Sequence, residues 1–194
     1  MYAIVDIETT GGYAANHRIT EIAICYHDGM QVTDTFHTLI NPGRSIPYYI
    51  TGLTGITSEM VFSAPAFQDI AGEIYKRLEG KVFVAHNAHF DYSFLKREFE
   101  LAGVQWQSKK LCTVRLSRKI IPGLRSYSLG SLAGSLGIEI NNRHRAGGDL
   151  HRDAAAGGPS RRRRCRFEVR AAGRRAVGHA HPRRRRRSGL ARGA

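Results

Sequence analysis

Hydrophobic positions in the first part of the chain alternate between short strand-like runs and longer helical stripes. Three short runs rich in β-branched residues predict strands at residues 2–8, 19–26 and 31–40. Asp28 and Gly29 are suited to the turn of a hairpin between the second and third runs. Residues 81–85 predict a fourth strand.

Helical spacing appears only after the third strand. Apolar residues recur at this spacing from Phe67 to Leu78, and Gly80 marks the end of that helix. Further helices are predicted at residues 92–101, 114–120 and 128–136. Antiparallel strands followed by strand and helix units favour an α/β domain, with a mixed sheet flanked by helices.

The composition changes abruptly after Asp149. Residues 150–194 contain no Ile, Lys, Asn, Gln, Thr, Tyr, Trp or Met and consist mainly of Arg, Ala and Gly. Few large apolar residues and high charge predict a disordered tail, so we divide the chain into a domain at residues 1–149 and a tail at residues 150–194. Two origins stay open: a basic tail that binds nucleic acid, and a reading-frame shift in a GC-rich gene.

The charge balance follows the same division. The whole chain carries a net charge of +14. Residues 1–149 hold 15 Lys and Arg against 14 acids, whereas residues 150–194 hold 15 Arg against 2 acids. The basic charge therefore belongs to the tail and says nothing about the chemistry of the domain.

Several protein classes are disfavoured by composition. No apolar run approaches the roughly 20 residues that a membrane-spanning helix needs, and the first residues lack the basic region of a signal peptide. Cys25, Cys112 and Cys165 form no C-x-x-C pair, which argues against a disulfide framework or a zinc finger. We expect a cytoplasmic protein without a membrane partner.

The first candidate for chemistry is the pair Asp6 and Glu8, at the end of the first predicted strand. Side chains at positions i and i+2 of a strand share a face, so the two carboxylates converge. Hard cations such as Mg²⁺ prefer oxygen ligands of this kind. The alternative is a pair of solvated acids where the strand leaves the core.

Two further motifs contain acids and histidines. The segment His86-Asn87-Ala88-His89-Phe90-Asp91 follows the fourth strand, and His144 lies five residues before Asp149. Taken alone, Asp91 and Asp149 could be helix-start acids that the helix dipole favours, and the histidines could be parts of polar turns.

Together these motifs resemble the DEDDh exonuclease superfamily, which has a ribonuclease H-like fold. The order D-x-E, H-N-x-x-F-D and H-x-x-x-x-D is present, D-I-E-T-T-G begins at Asp6, and residues 50–56 resemble the linker after the third strand of that family. The superfamily includes the proofreading epsilon subunit of bacterial DNA polymerase III. The sequence is also similar to bacterial exonuclease domains that precede a second nuclease domain.

The resemblance implies a 3′→5′ exonuclease that releases 5′-mononucleotides from DNA 3′ ends, in proofreading or repair. The implied ligands of two Mg²⁺ or Mn²⁺ ions are Asp6, Glu8, Asp91 and Asp149. His144 would be the general base, since its ordinary pKa of about 6.5 suits proton transfer near neutral pH. The implied substrate contacts are Thr9, Thr10, Asn87 and Phe90.

Three alternatives and one departure from the family accompany this interpretation. RNA could replace DNA as the substrate, the tail could make the chain a non-catalytic nucleic-acid binder, and a polymerase partner stays open. Family members continue past the last Asp with an apolar helix, whereas Gly157-Gly158-Pro159 interrupts one here. We therefore expect an incompletely anchored Asp149, reduced stability and impaired activity.

Overall fold

The protein is described by a computed structural model that covers residues 1–138. Its sheet has five strands in the order β3-β2-β1-β4-β5. The strands are β1 Tyr2–Thr9, β2 Ile19–His27, β3 Val32–Leu39, β4 Val82–Ala85 and β5 Lys110–Cys112. β2 is antiparallel to both β1 and β3, whereas β4 runs parallel to β1 and β5 parallel to β4. The predicted mixed sheet is confirmed.

Six helices accompany the sheet within residues 1–138. They are α1 Tyr48–Thr54, α2 Ser58–Phe62, α3 Phe67–Leu78, α4 His89–Leu101, α5 Thr113–Ile120 and α6 Leu129–Ser135. None of these helices has the length and apolar character needed to cross a membrane. The predictions for His144, Asp149 and the tail at residues 150–194 lie outside the described residues.

Helices α1 and α2 and strand β5 are not predicted by the sequence, and residues 50–54 of the segment after the third strand belong to α1. Ile50 of α1 packs with Ile46, Ile56 and Val61 in a small second core, so tertiary contacts stabilise a helix with weak local signals. Gly55, which ends α1, has a φ of 71° and so adopts the left-handed conformation that glycine tolerates. β5 has only three residues, too few to show alternation.

The main core lies between one face of the sheet and helices α3 and α4. Val5 and Ile7 are buried in it, so the alternation of β1 places Asp6 and Glu8 on the other face of that strand. Trp106 is buried in an aromatic cluster, with ring centroids 4.7–5.9 Å from its neighbours Phe83, Tyr92 and Phe99. The cluster fixes α4 against β4.

An ion pair connects the beginning of β2 to α4. The Arg18 guanidinium donates two hydrogen bonds to the Glu98 carboxylate, at 2.8 and 2.7 Å, and the Ile19 N–H donates a third at 3.1 Å. Glu98 is only 2% exposed. A buried carboxylate with three donors is stable in place, but loss of either partner leaves the other desolvated and unpaired.

Replacing Glu98 by Ala should lower the free energy of unfolding by about 2–4 kcal/mol, since Arg18 and the Ile19 N–H lose their acceptor. Denaturant unfolding followed by circular dichroism measures the change. Glu100→Ala is the matched control on the same helix, because Glu100 is exposed and its ion pairs are long, at 3.9 and 3.7 Å. The control should change stability by less than about 0.5 kcal/mol, and equal losses in both variants would contradict this role for Glu98.

Candidate active site

Sheet topology brings the first two acidic motifs to one edge of the fold. β1 and β4 are parallel neighbours, with Ile4 paired to Val84, so their carboxyl ends lie side by side. Asp6 and Glu8 lie toward the end of β1, and Asp91 is in the first turn of α4, which begins four residues after the end of β4. This edge of the sheet is therefore the candidate active site.

Asp91 is held in an environment that opposes its negative charge. Its side chain is buried, at 5% exposure. Burial and then the charge of Asp6 raise the Asp91 pKa to about 7, although the backbone N–H groups of Asp91 and Ile7 act in the opposite direction. Near neutral pH the protonated and ionised forms of Asp91 are therefore both present, because ionisation of this buried carboxyl is unfavourable.

Asp6 shows the same behaviour in a more open position. Burial of its carboxyl and the charge of Glu21 raise the Asp6 pKa to about 6, while a hydrogen bond from the Ile7 N–H lowers it. The residue as a whole is nevertheless exposed. The raised pKa and the exposure of the residue are compatible if solvent reaches the carboxyl from one side and protein surrounds its other sides. Asp6 and Asp91 thus form a pair of like charge in the candidate site, with Asp6 more exposed than Asp91.

Glu8 is half-buried and lies opposite Glu21 in the register of β1 and β2. Among residues 1–138, no three Asp, Glu, His or Cys side chains come close enough together to hold a metal ion. Of the predicted ligands, the structure therefore brings Asp6 and Asp91 into electrostatic contact and leaves Glu8 outside a three-ligand cluster. Asp149 and the predicted base His144 lie beyond the part of the chain that is described.

The predicted substrate contacts divide into buried and accessible residues. Thr9 and Thr10 are buried, at 6% and 1% exposure. The Thr9 hydroxyl donates to the Gly11 carbonyl at 2.7 Å, and the Thr10 hydroxyl accepts the Arg18 N–H at 3.1 Å. Both hydroxyls therefore stabilise the loop after β1, and a contact of these residues with substrate stays a prediction.

Asn87 and Phe90 are more accessible. Asn87 is exposed and has a φ of 67°, which makes it the one non-glycine residue with positive φ in the described chain. Such a conformation costs free energy and is often found at functional sites. Phe90 is half-buried and its ring packs on Phe94, with centroids 4.9 Å apart. A role for either residue in substrate binding remains a prediction.

His86 has a positioning role that the sequence did not reveal. Its Nε2 lies 3.0 Å from the Tyr127 carbonyl, which can only accept, so this nitrogen carries the proton. Its Nδ1 lies 2.9 Å from the Thr113 hydroxyl. Burial lowers the pKa of His86 and favours the neutral ring, although the Tyr127 carbonyl opposes this shift. His86 thereby connects the turn that carries Asn87 to the first residue of α5 and to the segment before α6.

Glu21 and His37 were also missed by the sequence analysis. Glu21 is fully buried, and its carboxylate lies 2.7 Å from Nε2 of His37 on β3. Its charge reaches Asp6 strongly enough to raise the pKa of that residue. The available signal was an acid in the middle of the otherwise apolar run I-T-E-I-A-I-C-Y.

Comparison with known proteins identifies the family. The sequence model of the RNase T exonuclease family matches residues 3–156. The chain is 40% identical over 149 residues to a protein of Staphylococcus epidermidis named 3′-5′ exonuclease DinG, and 38% identical to its Staphylococcus aureus counterpart. Each alignment covers 76% of this chain but only 16% and 17% of the respective relatives, so the chain corresponds to a small part of those proteins.

Solved structures share the fold. Exonuclease X in complex with 5′-overhanging duplex DNA superposes with a TM-score of 0.60 at 26% identity, covering 74% of this chain and 77% of that one. Escherichia coli exonuclease I in complex with a dT13 oligonucleotide gives 0.66 at 19% identity, covering 74% and 37%. The nuclease domain of 3′hExo, described as a DEDDh family member bound to rAMP, gives 0.63 at 19% identity, covering 74% and 82%.

The family match covers most of the chain, and the fold of the described residues agrees with it. The resemblance seen in the motifs is thereby confirmed. The chain belongs to the RNase T exonuclease family.

Proposed function

We propose that the chain hydrolyses DNA from the 3′ end and releases 5′-mononucleotides, in proofreading or repair. The observation that carries the proposal is the like-charged pair Asp6 and Asp91, whose pKa values are raised to about 6 and about 7. Acids with perturbed pKa values near the carboxyl ends of neighbouring parallel strands are typical of an active site. The family match supplies the type of reaction.

The donor chemistry of this pair fits a divalent cation. Carboxylate oxygens are the ligands that Mg²⁺ and Mn²⁺ prefer, and Mg²⁺ commonly binds one or two protein carboxylates and keeps several waters. A cation between Asp6 and Asp91 would also remove the repulsion that raises the pKa of Asp91. We propose Glu8 and Asp149 as the remaining ligands of a two-metal site.

The acids and histidines of the site then have distinct roles. Two bound cations would stabilise the charge that develops on the attacking and leaving oxygens at phosphorus. Asp6 and Asp91 hold their carboxylates at the reaction site, anchored by β1 and by the first turn of α4. His144 accepts a proton from the attacking water. His86 keeps the turn before α4 in position through its hydrogen bonds to Thr113 and Tyr127.

A structural relative that was solved with DNA favours DNA over RNA as the substrate. Exonuclease X, at 26% identity, was solved with duplex DNA that has a 5′ overhang, and a 5′ overhang leaves a recessed 3′ end. The relative bound to rAMP has a lower sequence identity to this chain, at 19%. An exoribonuclease and a non-catalytic binder that uses the tail are the competing functions, and a polymerase partner would be compatible with any of the three.

Replacing Asp6 or Asp91 by Ala should reduce the release of mononucleotides from a single-stranded and a 3′-recessed DNA oligomer by at least about 10²-fold. The physical reason is the loss of transition-state charge stabilisation at the site. Activity of the unchanged protein should require Mg²⁺ or Mn²⁺ and disappear with EDTA. The measurement is stepwise 3′ shortening of a 5′-labelled oligomer.

Glu79→Gln is the matched control for these variants, because Glu79 is exposed at the end of α3, before β4 and away from the carboxyl ends of the strands. Its activity should stay within about twofold of the unchanged protein. RNA oligomers of the same sequence test the exoribonuclease alternative. Faster shortening of RNA than of DNA would favour that function. Binding without metal-dependent shortening, from folded protein, would instead favour the non-catalytic binder.

The stability of the metal-free protein should fall as pH rises from 5 to 8. The Asp91 pKa is raised from 3.8 to about 7, so the folded state favours its protonated form. This contribution is complete below pH 3.8 and is lost as pH rises through about 7. Asp91→Asn removes it, and in EDTA this variant should gain roughly 3 °C or more in Tm relative to the unchanged protein between pH 5 and pH 8.

Thermal melts with and without Mg²⁺ measure this effect. At pH 8, Mg²⁺ should raise the Tm of the unchanged protein clearly more than that of Asp91→Asn, because the cation relieves the repulsion at Asp91. A difference in Tm between the two proteins that is the same at every pH would show that Asp91 is not under electrostatic strain.

A further inference from the structure

An open cleft lies beside the acidic pair. It has a volume of about 360 Å³ and is lined by Thr10, His17, Arg44, Ser45 and Pro47. Thr10 directly follows the last residue of β1, so the cleft adjoins the end of the strand that carries Asp6 and Glu8. None of its lining residues is acidic, which separates its chemistry from that of the acidic pair.

One wall of the cleft is a tightly closed loop between β1 and β2. The Thr10 N–H donates to the Arg18 carbonyl at 2.9 Å, and the Thr10 hydroxyl lies 3.3 Å from Nδ1 of His17. The His17 ring sits directly on Gly11, where an added Cβ would come within 2.4 Å of the ring. Only glycine at position 11 therefore allows His17 to line the cleft in this orientation.

The other wall carries a cation. Arg44 comes from the loop between β3 and α1 and donates from Nη1 to the Asn16 carbonyl, which joins the two loops across the cleft. Over residues 1–138, no carboxylate lies within ion-pair distance of Arg44. The guanidinium has five N–H groups in a planar fork, so most of its donors remain for an anionic ligand.

Two exposed tyrosines are connected through the backbone to residues that line the cleft. Tyr13 is 77% exposed and belongs to the β1–β2 loop, where its carbonyl accepts the N–H groups of Asn16 and His17 at 3.1 and 3.0 Å. Tyr48 is 91% exposed and follows Pro47 at the start of α1. Aromatic faces beside an arginine are the combination by which single-stranded nucleic acids are held, through base stacking and phosphate contact.

We infer that this cleft binds a phosphodiester of the substrate strand upstream of the 3′-terminal nucleotide. Arg44 contacts the phosphate, and Tyr13 and Tyr48 offer their rings to the neighbouring bases. The inference rests on the proposed function, because it places the strand so that its 3′ end reaches Asp6 and Asp91. It also predicts that a substrate without an upstream phosphodiester gains nothing from Arg44.

The kinetic test compares a thymidine 12-mer with the p-nitrophenyl ester of thymidine 5′-monophosphate, using the full chain. Arg44→Ala should lower kcat/KM on the 12-mer about tenfold, mainly through KM, and change hydrolysis of the ester by less than about twofold. Arg44→Lys should keep much of the 12-mer activity, because the charge remains. Arg97→Ala, an exposed arginine on α4, is the control and should leave both substrates unaffected.

A second readout does not depend on hydrolysis. In the Asp6→Ala background, 4-thiothymidine placed second or third from the 3′ end of the 12-mer should crosslink to peptides that contain Tyr13 or Tyr48. Arg44→Ala should reduce these crosslinks several-fold, whereas Arg97→Ala should not. Mapping of the crosslinked peptides by mass spectrometry distinguishes crosslinks at Tyr13 or Tyr48 from any crosslinks to residues 150–194.

The outcomes distinguish the inference from the proposed function. If the unchanged protein hydrolyses both substrates but Arg44→Ala behaves like Arg97→Ala, the cleft does not bind the strand and the proposed function stands. If neither substrate is hydrolysed but the crosslinks at Tyr13 or Tyr48 depend on Arg44, the proposed function fails and the strand-binding cleft stands. Absence of crosslinks to both tyrosines overturns the inference in either case.

Discussion

The electrostatic effect of Asp6 on the buried Asp91 is the constraint on which the candidate site depends. Each of them is most perturbed by burial, and Asp91 also by the charge of its partner. An isolated protein gains nothing from such a pair, because both groups would be more stable in water. The divalent cations proposed for this site would offset the repulsion, so the arrangement is better explained by a role in chemistry than by stability.

The fold holds this unfavourable pair together with interactions that lie outside it. Parallel pairing of β1 and β4 fixes the separation of the two segments, and the aromatic cluster around Trp106 fixes α4 on the sheet. The ion pair of Arg18 and Glu98 then joins α4 to the strand next to β1. These contacts stabilise the fold independently of the site, and they offset the unfavourable free energy of the acidic pair.

Much of this fold was predictable from the sequence, for reasons that differ between elements. The runs of β1, β2 and β4 were predicted within one or two residues because buried strands have short, β-branched sequences. Helix α1 was not predicted, because its stability comes from packing of Ile50 into a second core rather than from local preference. The three residues of β5 pair only because β4 supplies a neighbour.

The candidate site was predictable in composition but not in its electrostatics. Alternation in β1 was sufficient to place Asp6 and Glu8 on one face. The burial of Asp91, the proximity of Glu21 to Asp6 and the two hydrogen bonds of His86 depend on contacts between segments distant in sequence. The hydroxyls of Thr9 and Thr10 illustrate the same limit, since residues expected to contact substrate use their side chains to close a loop.

The charge distribution adds a final constraint on how a nucleic acid is recognised. Residues 1–149 are almost neutral, with 15 Lys and Arg against 14 acids, and the site itself is acidic. A polyanion is therefore not drawn to this domain by a general positive field, and the acidic pair alone would repel it. Apart from the metal ions proposed for the site, the attraction of this domain for a nucleic acid has to come from individual basic side chains near the site, which act over a short distance. Arg44, exposed and without an acidic partner among the described residues, occupies such a position, whereas Arg18 is committed to Glu98.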